Sequence, residues 1–177
     1  ALRRRINSVQ STKQITRAME LIAATRVVKA MTRANAARPY STKMTGVIED
    51  LAAGGVGIDD PLLRSSETVS SIGFVVITSD RGLAGAYNSS VIRAAEKEIM
   101  AAQTEGKEYK LVLVGKKAAD YFRFRNYQIE ASFSGMTDTP SYEDARDVAT
   151  TVRDLFVSEA VDQVILAYQE FVSMGTQ

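Results

Sequence analysis

Leu2 to Ala53 reads L-R-R-R-I-N-S-V-Q-S-T-K-Q-I-T-R-A-M-E-L-I-A-A-T-R-V-V-K-A-M-T-R-A-N-A-A-R-P-Y-S-T-K-M-T-G-V-I-E-D-L-A-A, fifty-two residues with one proline and one glycine. Ala, Arg, Met, Lys and Leu dominate it, and all are strong helix formers. The segment therefore reads as one long helix, about 75 Å end to end at 1.5 Å per residue, far longer than a small globule needs. Leu2, Ile6 and Val9, then Ile15, Met19 and Ile22, then Ala30, Ala34 and Ala37, then Met44 to Leu51 recur at steps of three and four, which predicts an apolar stripe. Its middle is alanine. Small seam residues let a second helix approach closely but stabilise little alone, so a coiled partner is expected. Pro39 removes a backbone donor and crowds the preceding turn, which predicts a bend or break near residues 35 to 39 and two helical pieces.

Beyond Gly54-Gly55 the pattern changes. Gly57 to Pro61 is turn chemistry, leading into a polar connector through Ser71. Ile72 to Thr78 is a short β-branched run suited to a buried parallel strand. A Gly-containing loop, a helix over about 86–103, a strand over 110–114 and a helix over 117–125 follow. An edge strand over 128–133, an amphipathic helix over 142–160 and a buried strand over 163–168 complete the series. Alternating strands and helices of these lengths predict an α/β fold, an open parallel sheet with right-handed crossovers and flanking helices. The expected organisation is a basic helix over 1–54, a connector over 55–71 and an α/β domain over 72–177. Tyr121, Phe122, Phe124 and Tyr127 read as core rather than as an aromatic cage.

Charge divides the chain in the same place. The whole carries +1, but residues 1–48 hold ten Lys and Arg against the single acid Glu20, a net of +9, leaving −8 for the rest. Such asymmetry points the first segment toward an acidic or anionic partner. The chain has no Cys and no His, so disulfides, thiolate nucleophiles and imidazole bases are excluded and zinc chemistry is disfavoured. No run approaches 18 apolar residues, so no direct membrane span is predicted.

The loop Ser79-Asp80-Arg81-Gly82-Leu83-Ala84-Gly85-Ala86-Tyr87-Asn88 follows the first strand, where α/β folds bind nucleotide phosphates. Its glycines are spaced G-x-x-G, no Lys-Ser or Lys-Thr follows, and the second strand ends in Gly115-Lys116 without a ribose-binding acid. A tight turn held by Asp80 and the glycines is the favoured reading, with a nucleotide-binding Rossmann-like protein as the alternative. A basic helix can also bind nucleic acid. Here the charges are spread around the rod without a recognition module, and the attached domain is acidic. The Arg3-Arg4-Arg5 start is compatible with a targeting peptide, but the pattern continues well past the usual cleavage region, which favours a structural helix. Asp59-Asp60 and Glu143-Asp144 fall in a turn and at a helix start, where acids meet the helix dipole, and neither is paired with a base.

Arg4 to Arg26, the A-R-P-Y step at Ala37 to Tyr40, and I-T-S-D-R-G-L-A-G-A-Y-N at Ile77 to Asn88 together resemble the gamma subunit of rotary ATP synthases, and the likeness extends over the whole chain. The resemblance implies a long N-terminal helix, a Rossmann-like domain and a C-terminal helix coiled against the first. The sequence given stops at Gln177 without that helix, so a fragment is expected.

The resemblance further implies a central-stalk rotor subunit, not an enzyme itself and holding no cofactor or metal. It would transmit torque between the membrane c-ring and a hexamer of alpha and beta subunits whose beta sites make ATP. By motif position, Met19 and its neighbour Glu20 would face the acidic lever loops of beta, with Lys13, Arg17, Arg26, Lys29 and Arg33 as partners for those acids. The α/β domain would be the foot that meets the epsilon subunit and the c-ring. Ser79, Asp80, Arg81, Gly82 and Gly85 would serve that foot or its turn. A nucleic-acid partner is not implied. Within the resemblance, the absence of Cys speaks against the redox-regulated chloroplast form, and the A-R-P-Y step favours a bacterial form, peripheral on the cytoplasmic face of the cell membrane, over the matrix face of the mitochondrial inner membrane.

Overall fold

The computed structural model describes residues 2–53, 60–64 and 66–171. The chain divides into two compact units, residues 1–58 and 59–177.

The first unit is a single α-helix, α1, Leu2–Ala53. The predicted break is not there: helix runs on both sides of Pro39 without interruption. Proline has no N–H, so the Asn35 carbonyl lacks its usual donor, but the strong helix formers flanking it keep the backbone helical. The threonines, weak helix formers, adapt by turning their hydroxyls onto the preceding turn. Thr12 donates to the Ser8 carbonyl at 3.0 Å, Thr16 to Thr12 at 2.7 Å and Thr32 to Val28 at 2.9 Å. Every described side chain of α1 is exposed except at Met31 and Gly46, which are half-buried. The apolar positions also drift. On ideal geometry Leu2, Ile6 and Val9 lie more than about a third of a turn from Ile15, Met19 and Ile22, so there is no single straight stripe.

The second unit begins with a 3-10 turn, Pro61–Leu63, capped by the Asp60 carboxylate, which accepts from the Leu62 N–H at 2.8 Å. There follow β1 (Ser71–Ile77), α2 (Tyr87–Thr104), β2 (Glu108–Val114), α3 (Lys116–Phe124), β3 (Ala131–Phe133), α4 (Tyr142–Val157) and β4 (Gln163–Ala167). All pairings are parallel, in the order β3-β2-β1-β4. Gly54-Gly55, most of the connector's predicted turn and the chain's last residues lie outside the described residues.

Strand periodicity of two sorts β1 between two cores. Ile72, Phe74 and Val76 pack with Leu111 and Leu113 of β2 beneath Ile99 of α2 and Phe122 of α3. Val75 packs on the other face with Val112 and Val114, beneath Val148, Val152 and Leu155 of α4. The first core is fully buried, and each large side chain in it contributes about 1.5–3 kcal/mol. The second is thinner: α4 has no fully buried residue. A groove of about 990 Å³ beside it is lined by Val75, Ile77, Val152, Phe156, Val164 and Leu166 among others.

Three expectations need correction. β4 is not buried; it is at the sheet's edge among the described residues, with Leu166 58% exposed. α4 stops at Val157 rather than residue 160, because Glu159 takes a left-handed conformation (φ 61°) that ends the helix. Phe124 is not core. It is 83% exposed, whereas Phe122 and Tyr127 meet edge-to-face at 5.1 Å.

Gly115 ends β2 with φ 93°, and a Cβ there would overlap the Thr78 carbonyl and come within 2.8 Å of its Oγ1. Gly106 is also left-handed (φ 76°) but has open space around it. Gly115→Ala is therefore expected to cost about 3 kcal/mol or more, against about 1 kcal/mol for Gly106→Ala. Urea denaturation of the two variants checks the ranking.

Candidate functional site

Two regions carry the residues singled out in the sequence: the surface of α1, and the loop that follows β1.

On α1, Lys13, Arg17, Glu20, Arg26, Lys29 and Arg33 are all exposed, as is Met19. Arg17 Nη1 meets Glu20 Oε2 at 3.3 Å across one turn. With both side chains mostly in solvent, this i,i+3 pair is worth a few tenths of a kcal/mol, about 0.2–0.5. Helical geometry does not gather the seven residues onto one face. Lys13, Arg17 and Glu20, at steps of four and three, share one side. Met19, Arg26, Lys29 and Arg33 share another, about half a turn away. The result is a rod that presents positive charge in more than one direction over about 30 Å.

The loop after β1 is held from within and from two neighbouring loops. Asn88, in the first turn of α2, accepts at Oδ1 from the Ser79 N–H (2.9 Å) and the Ser79 hydroxyl (3.0 Å), and its Nδ2 donates to the Arg81 carbonyl (3.4 Å). Asp80 reaches outward. Its Oδ1 accepts from the Lys116 N–H at 2.9 Å, and its Oδ2 from the Thr137 N–H at 3.0 Å and the Thr137 hydroxyl at 2.7 Å. The Thr137 hydroxyl in turn accepts from the Asp80 N–H at 2.8 Å. Thr78, buried, accepts from the Ala118 N–H at 2.9 Å. One carboxylate thus ties together the segments that leave β1, β2 and β3.

Burial opposes the Asp80 charge, but hydrogen bonds from Gly135, Thr137 and Lys116 outweigh it and hold the carboxyl at about 2, below its ordinary 3.8. The same carboxylate stands at the amino end of α3 and accepts from its first N–H. Gly85 is left-handed (φ 57°), as the turn reading requires; Gly82 is not. Leu83 is left-handed as well (φ 62°) and 93% exposed at the loop's tip. Arg81 pairs with Asp138 at 2.8 Å, its side chain largely in solvent.

Sequence reasoning singled out Ser79, Asp80 and the glycines but missed the groups that hold them. Asn88 lay within the quoted motif, and its position at the helix start was a usable signal. Thr137 is 57 residues from Asp80, and nothing local marks it. Also missed was Glu96, which accepts from Tyr121 (2.9 Å), Tyr127 (3.0 Å) and Arg125 (3.3 Å) and pins α2 to α3. Burial and the bond to Glu96 push the Tyr127 hydroxyl up to about 12.

A sequence profile of the family described as ATP synthase matches residues 1–177. The chain belongs to the ATP synthase gamma-chain family. It is 46% identical to the ATP synthase gamma chain of Frankia casuarinae over 99% of its own length and 60% of that protein's. It is 44% identical to the gamma chain of Kineococcus radiotolerans over 100% and 60%. The chain thus spans about 60% of the length of these family members. A cryo-EM structure of the mitochondrial ATP synthase of Tetrahymena thermophila, central stalk and c-ring, superposes with a TM-score of 0.71 at 25% identity, over 90% of this chain and 66% of that one. Gamma chains belong to a membrane-associated complex; among the described residues no helix is long and apolar enough to cross a membrane.

Asp80 gives this family member a testable acid sensitivity. Because its folded pKa is depressed, its stabilising contribution is full above pH 3.8 and is lost as pH falls toward 2. Asp80→Asn is expected to cost about 1–3 kcal/mol at neutral pH, by leaving partly buried donors unmatched. The gap to wild type should close as the pH of a urea titration series approaches 2.

Proposed function

We propose that this chain is the non-catalytic, torque-transmitting part of the rotor of an ATP synthase. In this reading α1 turns inside a hexamer of alpha and beta subunits, and the α/β unit serves as the foot that meets the epsilon subunit and the c-ring. The complex lies on the cytoplasmic face of a bacterial membrane. The observation that carries the proposal is the surface of α1: a segment of net charge +9 whose described side chains are almost all exposed, with the positive charge facing more than one way.

The energetics fit a part that must slide. Exposed ion pairs are worth at most about 1 kcal/mol each and are exchanged at little cost. Long-range attraction from several charges still centres a basic rod in an acidic collar, over about a Debye length. Lys13, Arg17, Arg26, Lys29 and Arg33 are the residues assigned to those acids, with Glu20 beside the first two and Met19 on the side of the other three. Ser79, Asp80, Arg81, Gly82 and Gly85 belong to the foot as a braced turn rather than as a ligand site. Similarity to gamma chains over the full length supports these roles.

The isolated chain is expected to hydrolyse no ATP. Reversing Lys13 and Arg17 together to Glu should leave the melting temperature of the chain nearly unchanged, because both are exposed. It should lower ATP-driven proton pumping by the assembled complex. Undiminished pumping with the double variant would remove the electrostatic role of α1.

A further inference from the structure

The connector before β1 is fastened to the end of α4 and to the turn that leads into β4. Arg64 Nη2 donates to the Phe156 carbonyl at 2.6 Å and to the Val161 carbonyl at 2.7 Å. Its guanidinium stacks over the Phe156 ring at 4.3 Å. Six residues on, Asp162 Oδ2 accepts from the Ser70 N–H (2.9 Å), the Ser70 hydroxyl (2.8 Å) and the Ser71 N–H (3.0 Å). The Ser71 hydroxyl donates to the Ala160 carbonyl at 3.1 Å, and the Asp162 N–H returns a bond to the Ser71 carbonyl at 2.8 Å. The bonds from Ser70 and Ser71 hold the Asp162 carboxyl below the ordinary range, and the positive Arg64 lowers it further.

Two features mark this as more than an ordinary loop contact. α4 has no basic residue in its last turn, so Arg64 supplies, from a distant part of the chain, the positive charge that its carboxyl end lacks. The buried Arg64 Nε finds no acceptor among the described residues, so a guanidinium is kept here against a desolvation cost. Both anchors come before the first β1–β4 ladder pair, Ile72 with Gln163.

We propose that Arg64 and Asp162 form a clamp through which force arriving along the connector enters the sheet, and this rests on the torque-transmitting reading above. The covalent path from α1 to the sheet runs through the connector and into β1, a central strand. Without the clamp, a pull on the connector meets the terminal hydrogen bonds of β1 one at a time. With it, the same pull is shared with α4 and with the turn before β4, and β1 keeps its register. Arg64 and Asp162 are positioning residues here.

The test uses Arg64→Met, which keeps the apolar stem but removes the charge and both carbonyl bonds, and Asp162→Asn, with Arg64→Lys as a milder variant in case Met prevents folding. Each is placed in the assembled ATP synthase. Hydrogen exchange should rise about tenfold at residues 70–71 and 156–162 while the amides of Val75 and Val112 stay protected. ATP hydrolysis without a proton gradient should stay within about twofold of wild type, whereas pumping against an opposing gradient should fall about threefold or more. Pumping under load equal to wild type, in variants whose exchange shows the clamp open, overturns the clamp alone. A wild-type chain whose assembly shows no coupling of hydrolysis to pumping overturns the rotor reading, and the clamp falls with it.

Discussion

The constraint on which everything else turns is that α1 buries almost none of its apolar surface. Leu2, Ile6, Val9, Ile15, Ile22, Val47 and Ile48 are each at least half exposed. In a globular protein such residues would drive collapse, since burial is worth about 25 cal/mol per Å². Here good helix formers keep the local structure while the threonines are accommodated by bonding their hydroxyls to the preceding turn, and the hydrophobic term goes unused within the described residues. Apolar and basic residues left exposed along the same rod are what a partner-dependent element requires.

The sheet unit solves the opposite problem. Its central strands are shielded on both faces, as parallel sheets demand, and the loops at their carboxyl ends are stiffened by charge rather than by packing. A carboxylate that receives three hydrogen bonds from protein donors is satisfied in place and has little reason to recruit a ligand. Where many doubly wound proteins leave helix N–H groups open to a phosphate, the first turn of α3 gives its own to the protein: Lys116 to Asp80, Lys117 to the Ser79 carbonyl and Ala118 to Thr78.

Much of this was legible in the residues. The β-branched runs at Ile72–Thr78 and Lys110–Val114 fixed two central strands to within about two residues, because parallel strands buried on both faces read as continuous apolar stretches. The end of α4 was misplaced because Glu159 adopts a left-handed conformation that neither its propensity nor its neighbours announce. Q-V-I-L-A-Y reads as a buried core strand by composition; only the strand order reveals that β4 lies at an edge. Phe124 was misassigned for a related reason. Its place in the helix turns it away from the side occupied by Phe122, and side-chain type outweighed periodicity in the reading. Asp80 was legible as a turn residue, but not as a three-loop tie, since Thr137 and Lys116 come to it through tertiary structure alone.

Pro39 leaves a mechanical signature in α1. The missing hydrogen bond at the Asn35 carbonyl makes that turn softer than those on either side, although the helix passes through it. Elastic deformation of a uniform rod would be spread evenly along its length; here it concentrates at one joint between two stiffer levers. Strain from an uneven drive would then be stored and released near residues 35 to 39.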